Sequence, residues 1–338
     1  MKWLAHEGSI ESLPIGVRSP ANTRLPVVNP LKGDDMAGKT EQLRTEITNQ
    51  IIQALESGNS LPPWRKPWNT TNSGPHRNLI SGRPYSGVNP LVLQLASQRH
   101  GFTSSIWATF KQWNQANGHV KRRPDNVKPG KWGTTICFTA PVAKKRRTDD
   151  GSEEEDKYWI LKSYTVFNLD QVDGPFDQLR PSETEPTKLF EKFEAADELI
   201  AATEADIRTG DRACYVPAGD YIIMPPKESF HSGPDYYETA FHELTHWTEP
   251  EHRLNWDRKG EGYAAGELIA EISACYLAAE LGIPNSDRID KSGAYLKSWL
   301  QNLKNDNRAI FRACSQASKA NDFLLSFVRT PEPVEAAA

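Results

Sequence analysis

The chain has 338 residues, of which 38% are hydrophobic and 25% charged, a globular profile with enough apolar residues for one large or two ordinary cores. No window holds the eighteen or so apolar residues of a membrane span, and the N-terminus lacks an apolar signal core, so a cytoplasmic protein with no membrane partner is expected. The formal net charge of −4 hides an asymmetry: residues 36–147 carry 17 Lys and Arg against four Asp and Glu, whereas residues 148–338 carry 19 against 36. A basic block joined to an acidic block argues for two domains with different partners, and the basic one suits nucleic acid. Cys137, Cys214, Cys275 and Cys314 form no C-x-x-C pair and are expected as buried free thiols.

Taken in order, residues 1–35 are rich in Pro, Gly, Asn and Ser without a clear period, and a disordered extension is expected over 1–37. Met36 opens just before the first helical pattern and is a candidate start. Leu43, Ile47, Ile51, Ile52 and Leu55 mark an amphipathic helix over 40–55. Prolines then force Leu61 to Trp68 into an extended segment. A turn at Gly82 to Tyr85 and a helix over 91–98 follow. Thr134 to Phe138 and Tyr158 to Phe167 read as strands, with the basic-then-acidic run Lys144 to Asp156 as a solvated hairpin tip. The first domain is drawn at 38–174, a polar, proline-rich linker at 175–187, a second domain at 188–330 and a disordered tail at 331–338. Within the second domain, 188–203 reads as helix. Ala213 to Pro217 and Asp220 to Pro225 read as short strands about a Gly219 turn, and four helices follow, over 236–247, 263–281, 291–303 and 305–326. The fold class is α+β, in two domains, the first a basic α+β domain.

His242-Glu243-Leu244-Thr245-His246 is an H-E-x-x-H. On a helix the two histidines share a face and can reach one ion, and Glu243 can take the proton of a water bound there. Zn²⁺ suits such imidazoles, with Mn²⁺ or another divalent ion as the alternative. Glu267 and Glu271 offer carboxylates four apart on an otherwise apolar helix, where a buried charge needs a partner. The pattern resembles the gluzincin type of zinc peptidase. That resemblance implies Glu267 as third ligand and Glu271 as the residue behind a histidine, though spacing leaves the two exchangeable. Tyr263 is a candidate oxyanion donor, with packing an equal alternative. Asp220 to Pro225 is a candidate edge strand for a peptide, and His252 and Arg253 are placed to pair with acids rather than metal.

In the basic block five tryptophans lie among the cations, and single-strand binding combines a basic groove with aromatic faces for the bases. The DNA-binding candidates are Trp64, Arg65, Lys66, Trp68, Arg77, Arg83, Tyr85, Lys111, Trp113 and Lys131. No sequence-reading motif is present, so salt-governed, sequence-tolerant binding is expected.

Several motifs now converge: Pro62 to Trp68, Arg77-Asn78, Gly82 to Asn89, Trp107 to Trp113, Gly133-Thr134-Thr135 and Val166 to Gln171. With them the block from Ile47 to Gly174 resembles the N-terminal domain of ArdC-type antirestriction proteins. Tyr236 to Thr239, His242 to Thr248, Tyr263 to Glu271 and Ser298-Trp299-Leu300 resemble the same family's zincin-like domain. Gly266 departs from it, standing where a further Glu is common. The resemblance implies a plasmid or mobile-element protein that binds single-stranded DNA and shields incoming DNA from host restriction endonucleases. The alternatives are a working DNA-associated metallopeptidase that cleaves a restriction or repair protein, and a replication or primase accessory. The last is disfavoured because no primase-type acidic triad is evident.

Overall fold

The computed structural model describes residues 33–57, 62, 64, 74–147, 153–179, 193–256, 262–284 and 292–329. The N-terminal module contains α1 (Gly33–Glu56), β1 (Arg77–Asn78), α2 (Asn89–His100), β2 (Ile106–Thr109), α3 (Phe110–Gln115), β3 (His119–Val120), β4 (Thr134–Arg147), β5 (Glu153–Asn168) and β6 (Val172–Asp173). The C-terminal module contains α4 (Glu194–Ala202), β7 (Asp206–Thr209), β8 (Cys214–Val216), β9 (Tyr221–Met224), α5 (Gly233–Trp247), α6 (Tyr263–Glu280), α7 (Ser292–Asn305) and α8 (Ala309–Leu325).

Helix α1 buries its expected stripe, Ile47, Ile51 and Leu55. It begins at Gly33, inside the stretch expected to be disordered, because the apolar stripe marks only the turns that pack. Pro90 sits in the first turn of α2, where its missing N–H costs nothing, and Gly101 closes the helix in the left-handed conformation (φ 71°). A capping box between Thr109 and Gln112 opens α3.

The main N-terminal sheet has the order β1-β2-β5-β4, with β1 and β2 parallel and the other pairs antiparallel. Strands β4 and β5 run further than the apolar pattern suggests, from Thr134↔Val166 to Arg147↔Glu153, so the basic run lies in register with the acidic one. Buried amides pin the module. Asn89 Nδ2 donates to Cys137 O (2.8 Å) and Asn89 Oδ1 accepts from Cys137 N (2.9 Å), fastening α2 to β4. Asn168 donates to Ser104 O, Gln171 to Trp132 O, and Asp170 accepts from the amides of Thr103 and Ser104. The Asn168 to Gln171 motif is therefore a structural lock. Phe176, placed in the linker by sequence, is buried against Trp113 (ring centroids 5.2 Å), so the N-terminal core extends past residue 174. Residues 180–187 of that linker, and the hairpin tip at 148–152, lie outside the described residues.

Buried His76 joins this core. Trp107 Nε1 donates to its Nδ1 (3.0 Å), and an indole can only donate, so the proton sits on Nε2, which faces Gln94 Oε1 (3.3 Å). Burial pulls the imidazole down to about 4, against a smaller opposing effect from Gln94. The unfolded chain therefore binds more protons than the native one between about pH 6.5 and 4. Stability from this group is complete above 6.5 and is lost as pH falls through that window, on the order of 3 kcal/mol in all. Urea midpoints of a His76→Asn variant are expected to change less between pH 7 and pH 4.5 than those of the native chain. Equal changes would refute a neutral buried imidazole.

The C-terminal sheet has the order β7-β9-β8. Strand β9 is therefore central, which corrects its reading as the edge strand; among the described residues the sheet edge nearest the site belongs to β8. The physical cause is β7, a mostly exposed strand that pairs parallel with β9 and has almost no apolar signal of its own. Ser232 caps α5 through Asp235 N, and Pro234 occupies its first turn. Phe241, Leu244 and Trp247 of α5 pack with Ala274, Leu277 and Ala278 of α6. A buried chain of side-chain hydrogen bonds, Thr245 Oγ1 with Ser273 Oγ (2.8 Å) and the Asn321 amide with Ser273 Oγ (2.5 Å), ties α5, α6 and α8.

The two modules share one core. Ile47, Ile51, Trp64, Leu91 and Val92 pack in the same cluster as Leu268, Ile269, Ile272, Trp299, Ile310 and Cys314. Polar contacts reinforce it: Tyr276 Oη donates to Gly87 O (2.9 Å), Gly87 N to Ser318 Oγ (2.9 Å) and Thr48 Oγ1 to Asn307 O (2.8 Å). Cys137, Cys275 and Cys314 are buried free thiols, and Cys214 is partly exposed.

Candidate metal centre and the basic module

Helix α5 carries His242, Glu243 and His246 on the face turned from its apolar side, and α6 brings Glu267 to them. One ligand atom from each of His242, His246 and Glu267 lies within 4.8 Å of the others. Glu267 Oε2 is 3.3 Å from His242 Nε2, its Oε1 is 3.5 Å from His246 Nε2, and the two Nε2 atoms are 3.2 Å apart. Two imidazole nitrogens and a carboxylate form a donor set suited to Zn²⁺ or another divalent first-row ion with positions left open. Glu271, one turn on and buried, lies outside this trio.

Sequence reasoning missed the group behind His246. Glu249 Oε1 is 2.5 Å from His246 Nδ1, which fixes the ring so that Nε2 faces Glu267. The signal was the His-x-x-Glu spacing from His246 to Glu249, just past the end of α5. Burial alone would lower the His246 pKa, but hydrogen bonds to Glu249 and Glu267 outweigh it and raise the ring to about 9. For Glu267, burial would raise the carboxyl, and the two imidazoles hold it well below the usual carboxylate range instead.

Glu243 is buried, and its Oε2 accepts from the backbone N–H of Tyr215 on β8 (2.8 Å). That contact sets the carboxylate between the edge strand and the histidines. Tyr215 Oη donates to Asp220 Oδ1 (2.9 Å), and Arg253 grips both oxygens of Asp220 (2.9 and 2.6 Å) while lying over the Trp247 ring. His252 also approaches Asp220 (3.4 Å), so both residues pair with an acid as expected. Tyr263 stands at the rim, largely exposed, and accepts a hydrogen bond from Tyr295 Oη (3.4 Å). That bond, partial burial and the charge of Glu267 push its phenol above the ordinary range, so the hydroxyl keeps its proton.

The DNA-binding candidates separate. Trp64, Trp113 and Tyr85 are corrected to core residues. Trp64 and Trp113 are 0% exposed and Tyr85 8%, so the tryptophans present no ring face to a base. Trp64 packs edge-on against Trp299, and Trp113 Nε1 donates to Phe167 O (3.0 Å). Arg77 is part of the link between modules, 3.3 Å from Glu280, which also holds Arg329. Arg83, Lys111 and Lys131 are exposed. Arg65, Lys66 and Trp68 lie outside the described residues.

A helix-borne histidine pair completed by a carboxylate from the next helix, beside a small mixed sheet, defines a zincin-like metallopeptidase domain, here joined to a basic α+β module. Residues 194–316 match the zincin-like metallopeptidase family and residues 41–167 the N-terminal domain of anti-restriction factor ArdC. The chain belongs to the ArdC antirestriction family. It is similar to the metal-free crystal structure of antirestriction protein ArdC from plasmid R388 (TM-score 0.67, 39% identity, 84% of this chain and 97% of that one). The Mn(II)-bound form of that protein is also similar (TM-score 0.64, 37% identity, 86% and 99%). Uncharacterized protein y4eC of Sinorhizobium fredii is 32% identical over 85% of this chain and 94% of its own. DNA primase TraC of Escherichia coli is 34% identical over 86% of this chain, which spans 28% of TraC. No helix among the described residues is long and apolar enough to cross a membrane.

Proposed function

We propose that this chain binds single-stranded DNA through its basic module and protects incoming plasmid or mobile-element DNA from host restriction endonucleases, and that His242, His246 and Glu267 hold a divalent cation. The observation that carries the reading is the convergent trio with Glu243 beside it, whose Glu267 lies on the helix α6 that packs into the core shared with the basic module. Zn²⁺ fits the donor set, and the Mn(II)-bound R388 relative favours testing Mn²⁺ alongside it. Such an ion supplies Lewis-acid chemistry to a peptide carbonyl. Glu243 is placed to receive a water proton, Tyr263 to donate to a developing oxyanion, and the β8 edge to align an extended peptide. The second reading, cleavage of a restriction or repair protein, is favoured by the buried, aimed Glu243. A primase-accessory role has only the partial match to TraC.

The test joins elemental analysis of the purified chain to a single-strand titration at several salt concentrations. Stoichiometric Zn²⁺ or Mn²⁺ is expected in the native chain and its loss in His246→Ala. Single-strand affinity is expected to fall steeply with salt. Absence of metal from the native chain after exposure to both ions, or salt-independent binding, would overturn the respective half.

A further inference from the structure

We propose that the aromatic pair Phe138 and Tyr164, flanked by Lys162 and Arg83, is the surface on which bases of single-stranded DNA stack. The proposal rests on the reading that the basic module binds single strands, and it assigns the surface. Phe138 and Tyr164 are 42% and 45% exposed, with ring centroids 5.8 Å apart. The ladder pairs Phe138 with Lys162 and Ile136 with Tyr164, so these four side chains share one face of β4–β5. Further along that face, Ile136 and Val166 are buried beneath Leu93, Phe102 and Trp107. The other face carries Cys137 and Leu161 into the core shared by both modules. One end of the sheet face is thus anchored and the other opens as a rigid aromatic shelf. Buried Tyr85 backs the shelf, 6.5 Å from Phe138, with its hydroxyl held by Asn78 Nδ2 (3.3 Å).

The charges select the occupant. Arg83 and Lys162 are exposed, and neither forms an ion pair among the described residues. Residues 36–174 carry 19 Lys and Arg against 12 Asp and Glu, so a second copy would meet like net charge, whereas a polyanion is drawn to it. Bases stack on aromatic faces while cations follow the phosphates, which is the division of labour single strands require. Trp64, Trp107 and Trp113 cannot supply it, because they are fully buried.

The experiment compares an oligothymidine with an abasic oligonucleotide of equal length, on the full chain. The native chain is expected to prefer the oligothymidine. Phe138→Ala with Tyr164→Ala is expected to lose about tenfold on oligothymidine or more, to erase the preference, and to keep the salt slope. Arg83→Gln with Lys162→Gln is expected to flatten that slope instead. Phe138→Leu with Tyr164→Leu, which keeps the apolar cover and is checked by thermal unfolding, is expected to lose the preference as well. Native single-strand binding that all aromatic variants retain would overturn the shelf alone. No single-strand binding by the native chain would overturn the underlying reading with it. A native dimer that the aromatic variants dissociate would assign the surface to self-association and overturn the proposal.

Discussion

Glu243→Ala is expected to keep its bound ion and to lose peptide hydrolysis by roughly 10²–10⁴-fold, the usual contribution of a positioned general base. The three donor groups are His242, His246 and Glu267, so removing Glu243 leaves the ligand set whole. It does strand one donor, because Tyr215 N–H loses its carboxylate acceptor (2.8 Å) on the edge strand. Glu243→Gln separates the two effects. The amide oxygen can still accept from Tyr215, but it cannot hold a water proton, so hydrolysis should fall as far as in the alanine variant while β8 stays in place. Turnover of a denatured protein substrate measures hydrolysis, and transfer of DNA into a restricting host measures protection. Protection that survives in both variants would show that cutting is not how the chain shields DNA. Loss of protection in both, with metal and single-strand binding intact, would favour the reading in which a restriction or repair protein is the substrate. Full hydrolytic activity in Glu243→Gln would refute the role given to the carboxylate.

The metal trio was legible because its chemistry is written in fixed spacing. His242 and His246 share a helical face by rule, whereas Glu267 and Glu271 are both charges on an otherwise apolar helix, and only the resemblance to gluzincins separated them. Glu249 escaped notice because it lies just beyond the last turn of α5, where helical spacing no longer says which way a side chain points. The tryptophans misled for a different reason. Composition places them among cations, but it does not say that Trp64 and Trp113 are buried while Phe138 and Tyr164 are not. The N-terminal motifs were legible as motifs, yet Asn78, Asn89 and the Asn168 to Gln171 run act as hydrogen-bonded locks rather than as contacts for DNA. The strand order was hidden by β7, whose Asp-Ile-Arg-Thr sequence contains one apolar residue. Local periodicity reveals which faces want cover, not which faces meet, so the shared core could not be read from it.

That shared core sets the largest expected effect on stability. Trp299 on α7 is 0% exposed, its ring centroid 5.6 Å from Trp64 of the basic module and 5.9 Å from Tyr295. Its indole Nε1 donates to Ala264 O (2.8 Å), in the first turn of the helix that carries Glu267. Trp299→Ala opens a cavity at the seam between modules and is expected to cost about 3–5 kcal/mol, a large share of the 5–15 kcal/mol typical of a native domain. Because Ile51, Leu91 and Ile272 belong to the same cluster, the two modules should lose structure together, in one urea transition at a lower midpoint. Hydrogen exchange at α2 and at α6 should rise in parallel. Two transitions, with α2 protected through the first, would show modules that merely touch. Trp299→Phe restores most of the packing but leaves the Ala264 carbonyl without its indole donor. Its smaller loss, about 1–3 kcal/mol, would measure how firmly the first turn of the Glu267 helix is held by a residue that faces the basic module.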